Sequence, residues 1–304
     1  MAAPTFRELT GIYEPSAIQQ LPDGRFLVVE DEKARPFSLV TIGGDASIAS
    51  AALTPGLLQM FNDFWKLDDL EGLAADSAGF VYAITSHSRD DDGDEKPSRE
   101  RLVRFRIEKN RVVGPKVVKG LKRALTQQHP VLAAAASVRE AKGGSGLNIE
   151  ALEVSADQQR LMIGFRSPLQ GGQALIASVE NPARMFEAGE APRVAAELAM
   201  LDLGGLGIRG LAHVPALDGY LVIGGPVSRD DAPFGVWLWS GERGAPVRRV
   251  SVPGLPDFGR AEGASPAVID GVERIVVVSD DGDRKSGRCA RYLLLDPAQL
   301  KIAN

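Results

Sequence analysis

Short apolar runs rich in β-branched and aromatic residues recur along the 304-residue chain, separated by Gly, Asp and Pro. Residues 25–30, 37–42, 80–85, 101–107, 160–165, 174–179, 220–223, 236–239, 274–279 and 290–295 have this character. Such runs read as strands, and Pro22-Asp23-Gly24, Ser77-Ala78-Gly79, Asp218-Gly219 and Asp270-Gly271 supply the turns between them. Each set of runs opens on a related phrase. Glu14-Pro15-Ser16-Ala17-Ile18, Leu70-Glu71-Gly72-Leu73-Ala74, Ile149-Glu150-Ala151-Leu152, Ile208-Arg209-Gly210-Leu211-Ala212 and Ala261-Glu262-Gly263-Ala264 all place a charged residue before a small one and an apolar run.

The charged markers lie 57 (14 to 71), 79 (71 to 150), 59 (150 to 209) and 53 (209 to 262) residues apart. Units of about 40–60 residues holding several short strands are propeller blades. The chain is therefore expected to be all-β, one propeller domain over residues 1–304 with five blades. A sixth, degenerate blade is the alternative, because the long interval holds extra residues. The helix formers and the run Val131-Leu132-Ala133-Ala134-Ala135-Ala136 predict a helical insertion near 121–141. Its start is expected near Thr126 or Gln127 and its stop at Gly143-Gly144. The last unit lacks a fourth strand, which residues 5–9 are free to supply by pairing back across the ring.

Strands alternate in direction within a blade, so the start of each first strand and the end of each second strand share one face of the disc. Glu14, Glu71, Glu150, Arg209 and Glu262 are thus expected to ring the mouth of the axis. Arg166, His87, Glu30, Asp280 and Asp281 are expected to join them from the second strands. Carboxylates gathered in a partly enclosed channel repel unless a cation offsets them. Three outcomes follow. The ring is a structural set of salt bridges; or Glu14, Glu71, Glu150 and Glu262 hold Ca²⁺ or Mg²⁺ through hard oxygen ligands; or Arg166 and Arg209 bind an anionic molecule or substrate directly. His87, at the expected mouth, is either a general base or ligand or a polar rim residue, and in a metal-assisted hydrolase it would transfer the proton.

Other signals have simpler readings. Gly205-Leu206-Gly207-Ile208-Arg209-Gly210 satisfies a dinucleotide pattern, but the strand-like run after it is the wrong context. Asp90-Asp91-Asp92-Gly93-Asp94-Glu95 resembles a calcium loop, yet alignment on Gly93 puts Ser88 and Arg99 at the first and last ligand positions. His129 and His213 are expected in structural roles. The single cysteine, Cys289, excludes an internal disulfide. Net charge is −5 with no basic cluster, which argues against a nucleic-acid partner. There is no apolar run of membrane-spanning length and no secretory h-region, so the expected location is the cytoplasm, or the periplasm if a signal has been removed. The expected partner is a small anionic molecule or a protein.

Several phrases together resemble the bacterial family called domain of unknown function 3616. They are residues 69–74, Tyr82-Ala83-Ile84-Thr85-Ser86-His87-Ser88, residues 148–152, Gly164-Phe165-Arg166-Ser167-Pro168-Leu169 and residues 207–212. The resemblance runs roughly from Glu14 to Asp281 and implies a propeller-like domain without an assigned activity. The Glu-Gly-Leu element at Glu71, and in part at Glu150 and Glu262, is more distantly similar to phytase-like and esterase-like propellers. In those, axial carboxylates hold calcium near a phosphoester site. This resemblance implies a metal-assisted hydrolase of a small ester or phosphoester. The alternative is a propeller that binds a ligand or a protein without chemistry. Arg209 departs from the phytase-like pattern, where a carboxylate is expected.

Overall fold

The computed structural model describes residues 3–30, 36–45, 47–55, 63–139, 144–228 and 233–303. Five antiparallel sheets make five propeller blades. The chain enters through β1 (Arg7–Glu8) and then builds blade 1 from β2 (Pro15–Gln20), β3 (Phe26–Glu30), β4 (Phe37–Ile42) and β5 (Ile48–Ala52). Blade 2 holds β6 (Leu70–Ala75), β7 (Val81–Thr85), β8 (Leu102–Glu108) and β9 (Arg111–Val118). Two helices follow, α1 (Leu121–Gln128) and α2 (Pro130–Ser137). Blade 3 holds β10 (Asn148–Val154), β11 (Leu161–Ser167), β12 (Ala174–Val179) and, after α3 (Pro182–Ala188), β13 (Ala199–Leu201). Blade 4 holds β14 (Gly207–Val214), β15 (Gly219–Gly225), β16 (Gly235–Trp239) and β17 (Arg248–Ser251). Blade 5 holds β18 (Ala261–Ile269), β19 (Val272–Ser279) and β20 (Arg291–Leu295), and the chain ends through β21 (Lys301–Ile302).

The N-terminal strand closes the ring as its free pairing edge predicts: Arg7 pairs with Tyr292 and Glu8 with Arg291. The C-terminal strand adds a second clasp. Val250 pairs with Ile302 and Ser251 with Lys301, which gives blade 4 a fifth strand. A two-residue strand carries too little periodicity for a sequence pattern to report, so this clasp emerges only from the structure.

The core lies between blades rather than within them, because alternate side chains of a strand face opposite sides of its sheet. In blade 2, Val81, Ala83, Val103 and Phe105 pack against Leu27, Val29 and Phe37 of blade 1. Tyr82, Ile84 and Leu102 pack the other way, against Ile149, Ile163 and Phe165 of blade 3. Phe37, Phe64 and Phe105 form an aromatic group in the first of these seams, with ring centroids 5.1–5.7 Å apart. Such rings add to area burial by about 0.5–1.5 kcal/mol per pair.

The helical insertion is present but begins earlier than Thr126. Gly120 at φ +83° turns the chain into α1, and no side-chain cap is used. Pro130 then starts α2 after the extended residue His129, so the insertion is two short helices. Leu121, Leu125, Leu132 and Ala135 bury its apolar face on the seam between blades 2 and 3. The helix stops at Ser137, before Gly144; Gly143 lies outside the described residues. No described helix is long and apolar enough to cross a membrane.

Candidate functional site

The five innermost strands, β2, β6, β10, β14 and β18, contact one another around the axis. Each carries a β-bulge near its start. The pairing register slips between Pro15 and Ala17, Leu70 and Gly72, Ile149 and Ala151, Ile208 and Gly210, and Ala261 and Gly263. The extra residues are therefore Ser16, Glu71, Glu150, Arg209 and Glu262. A bulge leaves one residue out of the ladder and re-aims its side chain, which is why it recurs beside functional sites. All five line one axial cavity of about 940 Å³.

This geometry corrects the ring. Glu14 is not the blade 1 equivalent of Glu71; Ser16 is, 55 residues earlier (16 to 71). Glu14 precedes the bulge by two residues and lies exposed at the cavity rim. The ring thus holds three glutamates, one arginine and one serine. Charge type alone could not find Ser16, since a bulge is defined by pairing and not by residue spacing.

Small residues directly below the ring let the strands approach. A Cβ on Gly72 would lie 2.8 Å from the Leu152 backbone nitrogen, and one on Gly210 would lie 2.5 Å from the Glu262 carbonyl oxygen. At this level Ala17, Gly72, Ala151, Gly210 and Gly263 pinch the channel to a cleft of about 10 Å³. The axial cavity is therefore a cup with a floor.

Arg209 organises that floor. Its Nη1 donates to Glu150 Oε2 at 2.9 Å and to Glu262 Oε1 at 3.1 Å, and its Nη2 donates to the Pro226 carbonyl at 3.0 Å. Its guanidinium carbon sits 5.3 Å from the centre of the Phe234 ring. Gly225 makes room for both, since a Cβ there would meet Phe234 at 2.7 Å and the Arg209 stem at 2.9 Å. Arg166, from β11, donates from Nη1 to Glu150 Oε1 at 3.1 Å, from Nε to the Pro226 carbonyl at 3.1 Å and from Nη2 to the Ser228 carbonyl at 3.2 Å. Asn148 also donates to Glu150 Oε1, at 2.9 Å. Both arginines are thus engaged by protein acceptors, and Glu150 is bracketed on both oxygens.

The electrostatics follow from burial. Burial opposes the Arg209 charge, but Glu150, Glu262 and Glu71 outweigh it and hold the guanidinium above its ordinary pKa. Burial pushes the Glu262 carboxyl up to about 8, aided by Glu150 and Asp280 and opposed by Arg209 and Arg166. The protonated form of Glu262 is thus favoured toward neutral pH, and its Oε2 takes no hydrogen bond among the described residues. Asp280, at the end of β19, is also raised, first by burial and then by Glu14 and Asp281, against the pull of Arg260.

The remaining expected residues lie elsewhere. His87 is fully buried and does not line the axial cavity. β7 ends at Thr85, and the chain turns at His87 (φ +56°), so that its Nδ1 meets the Thr85 carbonyl at 2.8 Å beneath the two insertion helices. Burial lowers its pKa to about 4, so it is neutral at physiological pH. Glu30 points outward to Tyr13, Ser38 and Arg284 instead of the axis. The dinucleotide-like residues 205–210 run into β14, a strand, as their context implied. In the calcium-like loop, Asp90 is engaged by Lys96 and by the backbone N–H groups of Asp92 and Asp94. Its counterpart in blade 4, residues 228–231, lies almost wholly outside the described residues.

The donor set does not fit the expected Ca²⁺ or Mg²⁺. Among the described residues, no group of three or more His, Cys, Asp or Glu side chains is placed to hold a metal ion. The physical reason is Arg209: its guanidinium takes the position among the glutamates that a cation would occupy. Residues missed by sequence reasoning are Ser16, Asp257, Arg260 and Phe234, which lie on the cavity wall. Only Ser16 carried a signal, the recurrent small residue after it.

A five-bladed propeller with a carboxylate- and arginine-lined axial cup is thus the class that fold and site define. The family model described as Protein of unknown function (DUF3616) matches residues 119–255 and bears out the resemblance over that span. Glu150, Arg166 and Arg209 fall inside it, and Glu71 and Glu262 outside. No curated protein sequence matches the chain. Among solved structures, a candidate oxidoreductase (glucose dehydrogenase) from Thermus thermophilus is similar with a TM-score of 0.50 at 19% identity, over 96% of this chain and 100% of that one. The PQQ-bound aldose sugar dehydrogenase of Streptomyces coelicolor gives 0.46 at 15% identity, over 97% and 99% of the two chains. A gluconolactonase from Xanthomonas campestris gives 0.41 at 14%, over 99% and 86%. The first likeness shows the fold alone, and the other two are too distant to add to it.

Proposed function

We propose that the axial cup is the active site of a hydrolase for a small ester, working by carboxyl acid–base chemistry. The observation that carries this reading is Glu262: a buried carboxyl on the wall of a solvent-reachable cavity, paired through Oε1 with Arg209, with Oε2 left without a hydrogen bond among the described residues and its pKa pushed up by burial. A carboxyl tuned toward neutral pH is the form a general acid needs. Glu71 stands in the same ring, half-buried, as the complementary base.

In the proposed step, a water oxygen bonds to the ester carbonyl carbon as Glu71 takes the water's proton. The bond from that carbon to the leaving oxygen then breaks as Glu262 gives its proton to the departing alcohol. The products are the acid and the alcohol, and solvent restores the two carboxyls. Arg166 makes three hydrogen bonds with its five N–H groups and so retains donors for the developing oxyanion. The metal-assisted route draws no support from the donor set. The phosphoester alternative draws none from the charge of the cup, which is acidic overall among the described residues.

The test is a panel of small neutral esters, open-chain and cyclic, assayed with the purified protein and with Glu262→Gln and Glu71→Gln. Both variants should lose about 10²-fold or more in kcat/KM while keeping the native melting profile. Full activity in both would overturn the reading. A second reading, ligand binding without chemistry, is favoured by the pairing of both arginines with protein acceptors. It is supported if no ester in the panel is turned over.

A further inference from the structure

We propose that the axial cup selects a small organic cation, an ammonium-bearing molecule, over neutral or anionic ligands of the same size. The inference deepens the reading of this mouth as a ligand site, and it does not need the hydrolytic step. Among the described residues, nine charged side chains line the cup, six acidic and three basic. Two of the three bases are already engaged. Arg209 lies between Glu150 and Glu262, and Arg166 is held by Glu150 and two backbone carbonyls. Arg260, the third, is an exposed rim residue 4.0 Å from Asp280. Among the described residues, the acidic excess of the cup is therefore carried toward its opening, by Glu14, Asp257 and Asp280 opposite Arg260. An anion entering there meets like charge at short range, whereas a cation restores the balance.

Two further features narrow the class. The unbonded Glu262 Oε2, on a residue more than nine-tenths buried, is an acceptor or donor presented to whatever fills the cup. The apolar part of the cup's lining is formed by Pro15, Pro226, Pro233 and Phe234. A hydrated metal ion gains nothing from such a wall, but the methylene or methyl shell of an organic cation is desolvated against it, and an aromatic face adds attraction.

The test is calorimetric titration of the full chain with two cations, choline and ethanolamine. The comparisons are their uncharged counterparts, 3,3-dimethylbutan-1-ol and ethylene glycol, and inorganic phosphate. At least one cation should bind about tenfold or more tighter than its neutral counterpart, and phosphate should not bind. Asp280→Asn, which leaves Glu71 and Glu262 intact, should weaken that cation severalfold and leave the neutral compound unaffected. Equal affinity for cations and neutral counterparts, or preferred binding of phosphate, would overturn the proposal. Asp280 transfers no proton in the hydrolytic step, though it helps hold up the Glu262 carboxyl, so charge selectivity is read from binding and hydrolysis from Glu262→Gln and Glu71→Gln, and the two fail separately.

Discussion

Arg209 of blade 4 reaches Glu150 of blade 3 with Nη1 2.9 Å from Oε2, and the same nitrogen lies 3.1 Å from Glu262 Oε1 of blade 5. One guanidinium therefore ties three of the five blades together at the axis. Removing one partner of a buried ion pair leaves an uncompensated charge and typically costs about 3–5 kcal/mol. Arg209→Met should lose about 3 kcal/mol of unfolding free energy in urea at pH 9. The loss should be smaller at pH 6, where Glu262 holds its proton and less negative charge is left behind. An equal loss at both values would contradict the protonated state assigned to Glu262.

Because the guanidinium already sits among the glutamates, divalent cations should add nothing to stability. A ligand at 100 times its dissociation constant adds about 2.7 kcal/mol. Neither Ca²⁺, Mg²⁺ nor a chelator should move the melting temperature of the wild-type protein. A clear upward shift with Ca²⁺ that disappears in Glu71→Gln would show that a metal does enter the cup.

Glu153 offers a pH test away from the axis. It is buried on β10, where Val154 N–H donates to its Oε1 at 2.7 Å and His213 N–H to its Oε2 at 2.8 Å. Burial nevertheless pushes its carboxyl up to about 8, from an ordinary value of 4.5. The folded chain then binds a proton across that window which the unfolded chain has released, so stability falls as pH rises from 4.5 to about 8 and levels above it. Glu153→Gln removes the titration, and its stability between pH 5 and 9 should slope less steeply downward than that of the wild type. Identical slopes in urea denaturation would refute the assignment.

Gly210 tests the close approach of inner strands. A Cβ there would fall 2.5 Å from the Glu262 carbonyl oxygen, a backbone atom that cannot swing aside. Gly210→Ala should cost about 1–3 kcal/mol, as overpacking does. Gly171→Ala, with open space at its Cβ but φ at +59°, serves as the comparison for backbone strain alone. A smaller cost at Gly210 than at Gly171 would mean that the inner strands can part.

Blade order was readable from the sequence because each blade repeats the same burial problem. Phe37–Ile42, Arg111–Val118, Asn148–Val154 and Ala174–Val179 lie where their apolar runs place them. The place of Glu71, Glu150, Arg209 and Glu262 around the axial cavity was readable, since each is a charge set in an otherwise apolar innermost strand. Three features were not readable, each for its own reason. Ser16 was overlooked, despite the small Ala17 after it, because the bulge that places it depends on the neighbouring strand. The position of His87 depends on a left-handed turn and on helices 34–50 residues further along (87 to 121 and 137), which no local pattern reports. The engagement of Arg166 by the Pro226 and Ser228 carbonyls is a contact between loops of different blades.

The recurring bulge has a consequence for how such a protein can change. Each of the five bulged residues lies outside the pairing ladder, so its side chain is chosen by the axis and not by the sheet. Ser16, Glu71, Glu150, Arg209 and Glu262 are therefore five letters written around one opening, three of which, Glu150, Arg209 and Glu262, are linked by ion pairs and change as a set. A scaffold of this kind can change the charge around its opening while leaving its sheets as they are, provided the small residue that follows each letter is kept.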